Sequence, residues 1–312
     1  MNPQRSQLMN GQQHFSWGPI DLIIGAHIEF GGNEKIIKQA HDNAWLRFQH
    51  ILPDLVKELS TLKQAVRPET DNPCNGSIAR SMWQACHPLL PNFITPMAAV
   101  AGAVADEMIK NYHINGIGKA WVNNGGDIAV HLAPNQSIPV GICADAYRAN
   151  HNIQELGAYT LDGQFIISAK DPIRGIATSG WQGRSFSMGI ADSVTVLAQN
   201  AACADAAATI IANAVNVNDD RILRRKACDL NDDSDLGERL ITVNVPTLEH
   251  DVLEYALENG VLTAQALKDQ GLIWGAILTC QQQVRYVIDI NYPMQSMLTN
   301  MTDSPTIAVH MA

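Results

Sequence analysis

The chain has 312 residues, 46% of them hydrophobic and 17% charged, with a formal net charge of −10. That is enough apolar material for one large core or two closely packed lobes, and the acidic balance offers no footprint for a nucleic-acid backbone. No secretion signal or membrane-length apolar run is visible, and the six scattered cysteines suit reduced thiols, so a cytoplasmic protein is the expectation.

Pro19–Ile28 reads as a strand closed by a glycine turn at Gly31-Gly32. From Asn33 the apolar period changes: Ile37, Ala40, Ala44, Phe48, Ile51, Leu55, Leu59 and Leu62 mark one face of a helix, with a kink or break expected at Pro53. Residues 67–76 are turn-rich and suggest a boundary between packed units. A helix is expected over Ser77–Leu90, ending at Pro88. Thr95 looks like an N-cap before Pro96. The following run, Ala98–Ala105, has so little side-chain bulk that its backbone could approach a sheet or ligand closely.

Gly118–Asn123 and Asp127–Leu132 read as two strands joined by Asn124-Gly125-Gly126. Further strands are expected at Ser137–Ala144, Phe165–Ala169, Gly175–Gly180 and Ala191–Leu197. A second alanine-rich helix covers Ala201–Ala214. Leu240–Val245 is a strand, and Thr247 should cap a helix that stops at Gly260, with another piece at Leu262–Lys268. Ile273–Cys280 and Val284–Ile290 form a last hairpin. The basic run Arg221–Lys226 is followed at once by Asp229, Asp232, Asp233 and Asp235, which marks a solvated face. Strands dominate the second half without a βαβ rhythm, so the class is α+β. Residues 17–290 read as a single domain of two packed lobes, with 1–16 and 295–312 as loosely ordered tails. The two alanine-rich helices hint at internal duplication.

Three segments could carry chemistry. Asn123-Asn124-Gly125-Gly126-Asp127 would turn sharply and leave amides uncovered for phosphates or carbonyl edges, or be an ordinary hairpin turn. Asp205 and Thr209, four apart on a helix, present two oxygens to one side and would suit Mg²⁺; alternatively Asp205 serves a helix N-terminus and Thr209 bonds back to a carbonyl. Thr178-Ser179-Gly180, with Arg184 behind it, could hold an anion, or be a polar strand end whose arginine reaches solvent. Zinc spacings, dinucleotide and phosphate-loop motifs and the serine-hydrolase elbow are missing, and the ten histidines lie far apart along the chain. Cys86-His87 and Cys143-Ala144-Asp145 lack any evident partner group.

Gly18–Leu22, Thr95–Asp106, Val122–Ile128, Ala177–Gly180 and Asp192–Val196 with Ala204–Thr209 together resemble the ApbE-like superfamily of FAD-dependent protein FMN transferases. Within it they are most similar to the UPF0280 branch. The resemblance implies a fold of mixed or antiparallel sheets with packed helices. It implies a flavin-nucleotide pocket at Asn124, Gly125, Gly126 and Asp127, and Mg²⁺ ligands at Asp205 and Thr209. The transferases carry a histidine strand and a DPxTG turn after TSG; here Trp181–Ala191 replaces both, which leaves Arg184 as the local anion-handling candidate.

These residues lead to an expected flavin- or nucleotide-binding enzyme, with Mg²⁺-assisted flavin or phosphoryl transfer as the reaction class. Catalytic roles fall on Asp127, Ser179 and Arg184, and cofactor contacts on Asn123, Asn124, Gly125, Gly126, Thr178 and Gly180. The alternatives are a metal-independent enzyme on a small carboxylate or cyclic amide, and a binding protein without turnover. The expected partner is a small molecule, not nucleic acid or membrane, and a homodimer is compatible with this.

Overall fold

In the strand Ile20–Ile28, residues Ile20–Ile24 alternate buried and half-buried positions, the period of a strand with one face on a core. It lies within a nine-stranded sheet whose ladder is antiparallel throughout. The computed structural model describes residues 2–29, 32–142, 163–288 and 307–309. Its strands are β1 (Gln4–Gln7), β2 (Gln13–Trp17), β3 (Ile20–Ile28), β4 (Ile117–Asn124), β5 (Asp127–Leu132), β6 (Ser137–Ile142), β7 (Gly163–Ser168), β8 (Gly175–Ser179), β9 (Ser193–Ala198), β10 (Leu223–Lys226), β11 (Leu240–Asn244), β12 (Gly275–Cys280), β13 (Gln283–Val287) and β14 (Ile307–Val309). The large sheet runs β1-β2-β3-β4-β5-β8-β9-β12-β13, beside a β10–β11 pair and a small β14-β6-β7 sheet. The helices are α1 (Glu34–Lys57), α2 (Leu59–Leu62), α3 (Ser77–Cys86), α4 (Val100–Ile109), α5 (Ala201–Ala214), α6 (Ala227–Leu230) and α7 (His250–Asp269). This is the expected α+β class. Cys143-Ala144-Asp145, Gly31 and 295–306 lie outside the described residues.

Alternation splits the large sheet between two cores. Leu22, Ile24, Ala120, Val122, Ala129, Ala177, Val194, Val196 and Leu278 face the helices. Trp121, Ile128, Val130, Ile176, Leu197 and Ile277 face the other way, packing with Ile138, Val140, Phe165 and Ile167 of β6 and β7. On the helix side, Phe15 of β2 is fully buried with its ring 5.2 Å from Trp45 and 5.5 Å from Phe48 of α1. Residues 4–7 and 13–17 are thus paired strands, and the expectation of a loose tail over 1–16 is corrected: the Phe15 anchor holds them. Residues 67–76 separate nothing, since Leu62, Val66, Cys74 and Ile78 share one core.

Local differences have local causes. Pro53 sits inside α1, and the break comes at Glu58, whose carboxylate accepts the Asn75 and Gly76 amides ahead of α3 at 2.7 Å each. Thr95 gives its hydroxyl to Asp235 instead of capping. Likewise α7 runs straight through Gly260, starting after Glu249 rather than Thr247. A Cβ at Gly260 would lie 2.3 Å from Val215 Cγ2 and 2.7 Å from Leu278 Cδ2. Glycine there lets a helix meet the sheet; it does not end the helix. Among the described residues no helix is long and apolar enough to cross a membrane.

Candidate functional site

The β4–β5 connection is a two-residue turn. Gly125 and Gly126 have φ of +63° and +107°, a pair of left-handed values that matches a type I′ hairpin and excludes most side chains. Asn123 Oδ1 accepts the Gly126 amide at 2.8 Å, so that amide is already used and the expected cradle of bare amides is reduced to Gly125. The turn delivers two side chains instead. Asn124 and Asp127 are cross-strand partners on the helix-facing side, and both are buried.

They meet the start of α4. Asn124 Nδ2 donates to the Ala101 carbonyl at 3.0 Å. The next amide, Gly102, donates to Asp205 Oδ2 of α5, also at 3.0 Å. The contact is reciprocal, because Asp106 of α4 accepts the Ala201 and Ala202 amides of α5 at 2.9 and 2.8 Å. Each helix therefore supplies the carboxylate for the other's N-terminal amides, which otherwise lack intrahelical partners. Close approach requires the small-residue run: a Cβ on Gly102 would lie 2.3 Å from the Ala201 carbonyl oxygen. The expectation of a slim, closely packed helix holds.

Burial raises the proton affinity of all three carboxyls. Asp127 is pushed well above the usual range by burial and then by the charge of Asp205, against the pull of the Thr178 amide and the Arg184 charge. Asp205 is raised to about 7 by burial, opposed by the Gly102 and Ala101 amides and reinforced by Asp106. Asp106 is raised to about 6 by burial, opposed by the two α5 amides and by Lys110. The charge of Asp205 thus hinders ionisation of Asp127, and that of Asp106 hinders ionisation of Asp205.

The remaining candidates separate into those the fold brings here and those it does not. Arg184 is exposed, and its charge acts on Asp127. Ser179 ends β8 on the helix-facing side, half-buried. Thr209 is half-buried one turn beyond Asp205 on α5. Thr178 is corrected: its amide donates to Asp127 at 3.2 Å, but its hydroxyl bonds Thr195 at 2.8 Å on the opposite face. Gly180 serves packing, since a Cβ there would lie 2.2 Å from the Asp192 carbonyl oxygen. Sequence reading missed Asp106, whose only outward signal was an acid at the end of an alanine-rich run.

Asp205 and Thr209 offer oxygen donors only. Among the described residues no three His, Cys, Asp or Glu side chains gather as a metal cluster. A cation here would therefore take Asp205, the Thr209 hydroxyl, main-chain carbonyls and water, an all-oxygen set of the kind Mg²⁺ prefers.

The family model described as AbpE bacteria matches residues 5–286, and the chain belongs to that family. It is 38% identical over 133 residues to a UPF0280 protein of Methanospirillum hungatei, covering 42% of this chain and 50% of that protein. A UPF0280 protein of Methanothermobacter thermautotrophicus is 40% identical over 130 residues, covering 41% and 45%. The chain spans about half the length of these curated relatives. Among solved structures it is similar to a mutant of Flavin Transferase ApbE from Vibrio cholerae, at 13% identity and TM-score 0.44, covering 93% and 97% of the two chains. The apo flavinyl transferase ApbE of Pseudomonas stutzeri is similar at 11% identity and TM-score 0.40, covering 92% and 94%. The placement among ApbE-like proteins and UPF0280 relatives, read from the motifs, stands.

Proposed function

We propose that this chain is a flavin-nucleotide-binding enzyme that uses a divalent cation, with transfer of a flavin-phosphate group as its reaction class. One observation supports this above the rest: Asn124 of the β4–β5 hairpin and Asp205 of α5 meet on the first turn of α4, with Asp127 beside Asn124 and within reach of the Asp205 charge. Family membership and the names of the similar transferases point the same way.

Asp205 and Thr209 would hold Mg²⁺, which would supply charge neutralisation for a pyrophosphate. Asn124 fixes the position of the Ala101 carbonyl and hence the geometry of the α4 start. Asp127, whose proton affinity is raised by burial and by the Asp205 charge, would exchange a proton or a hydrogen bond with a ligand as the charge beside it changes. Arg184, exposed and long, would meet the negative groups of the ligand. Ser179, on the helix-facing side of β8, would line the same site.

Incubation with FAD, Mg²⁺ and serine- or threonine-bearing acceptor proteins tests the reading, with covalent flavin followed by in-gel fluorescence. Transfer that disappears in Asp205→Asn is the expected result. Retained FAD binding with no covalent product would remove the transferase assignment and leave a binding protein. Unchanged FAD affinity and turnover in Arg184→Ala would remove Arg184 from the site.

A further inference from the structure

The helix pair has a second open end. A cavity of about 600 Å³ lies beside the C-terminal end of α4 and the N-terminal end of α5. Lys110, His113, His131 and Arg174 line it, with Asp106 and Asn200 on the α5 side. A volume of a few hundred Å³ is the range of small-molecule sites.

The charges in this cavity are unevenly answered. Asp106 spends both oxygens on the Ala201 and Ala202 amides, and Asn200 Oδ1 takes the Cys203 amide at 2.8 Å. The α5 terminus is therefore already capped and contributes no argument of its own. The Arg174 guanidinium is held by three neutral carbonyls, of Asp171 and Ile173 at 2.6 Å and of Ala169 at 2.8 Å. These bonds orient its charge without neutralising it. Lys110 reaches Glu107 at 2.7 Å, a carboxylate it shares with Arg47 at 2.8 Å, while Arg47 has Asp54 as a second partner at 3.1 Å. The rings of His113 and His131 lie 4.9 Å apart, and His131 Nε2 sits 3.3 Å from the Ile117 carbonyl.

Burial lowers the proton affinity of both imidazoles. The charge of Lys110 and the neighbouring His131 add to this at His113. At His131 Arg174 acts in the same sense, while Glu29 and the Ile117 carbonyl oppose it. Four groups that can be positive thus surround one space, and they disfavour each other's charge. An anion entering that space would relieve all four together.

We propose that this cavity is a second ligand site, distinct from the hairpin site, and that it takes a small organic anion bearing phosphate or several carboxylates. Lys110 and Arg174 supply fixed charge, and the His113–His131 pair supplies ring nitrogens that become donors once the anion is present.

Calorimetric titration of the full chain at constant ionic strength tests this, with inorganic pyrophosphate and citrate as probes. Saturable binding of at least one probe is expected, weakened tenfold or more in Lys110→Glu and in His113→Gln, and retained within twofold in Asp205→Asn. Lys110 is exposed, so its variant should fold, and the histidine variant gives an independent reading. Binding of pyrophosphate alone would assign a phosphate-bearing ligand, and binding of citrate alone a polycarboxylate. No saturable heat with either probe would overturn the proposal. So would wild-type affinity in both cavity variants, or loss of binding in Asp205→Asn, which would place the anion at the hairpin.

Discussion

The two ends of the α4–α5 pair are built on one device and differ in everything around it. At each end the N-terminal amides of one helix rest on an aspartate of the other. At the hairpin end the charge of Asp205 acts on a second buried acid, Asp127. At the cavity end Asp106 has Lys110 for a neighbour and open space beyond. A repeated backbone contact therefore does not determine a site's charge or openness. The surrounding turn and sheet residues decide both.

The largest effect should come from removing what allows the helices to meet. In Gly102→Ala the new methyl would press on the Ala201 main chain, and neither backbone can yield cheaply. A loss of about 3 kcal/mol is expected, measured by urea denaturation. A loss below about 0.5 kcal/mol, the range of a neutral surface change, would show that the pair is looser than described.

The capping aspartates should then separate. Asp106→Ala strands two amides and should cost about 2 kcal/mol. Asp205→Ala strands amides at the start of α4 too, but it also removes the charge that hinders ionisation of Asp127, so its cost in chelator should be less than half of that. Equal losses would mean that the two acids do not oppose one another. Added Mg²⁺ should raise the melting temperature of the wild type and leave Asp205→Ala unmoved.

The cavity end has its own anchor. Tyr112, fully buried just past α4, shares a 2.7 Å hydrogen bond with His41 Nδ1 of α1. Burial, with the Arg5 charge, lowers the His41 proton affinity from 6.5 to about 4. A histidine depressed in the folded state stabilises above its unfolded value and loses that contribution as pH falls towards the folded one. Between pH 7.5 and pH 5 the wild type should lose about 2 kcal/mol through this group. His41→Gln should be less stable at pH 7.5 and lack that share of the slope; an identical slope would assign it elsewhere.

Much of this framework was legible in the residues. The strand pattern of β3 to β5, the extent of α5 and the Gly125-Gly126 turn all follow from local periodicity and backbone preference. The proximity of Asn124, Asp127 and Asp205 could be suspected only through family resemblance, because periodicity assigns a face and not its neighbour. Gly260 misled for a related reason: glycine marks helix ends and tight packing alike, and only Val215 and Leu278 tell them apart. His113 and His131 were passed over as distant in sequence, yet antiparallel pairing and the turn after α4 bring their rings together.

The smallest expected effect returns to the hairpin end and tests which face of the sheet holds the site. Thr178 and Ser179 are adjacent, so their side chains point to opposite faces of β8. Thr178→Val keeps the amide that serves Asp127 and removes only the hydroxyl bonded to Thr195. The buried Thr195 oxygen then loses this partner, at a cost of about 1 kcal/mol. FAD affinity should stay within twofold of the wild type, because no ligand on the helix side reaches that hydroxyl. Arg184→Ala should do the reverse, weakening FAD binding with no measurable loss of stability. A Thr178→Val protein that folds normally but binds FAD tenfold more weakly would place the ligand on the Trp121 side of the sheet, and the site built around α4 would have to be abandoned.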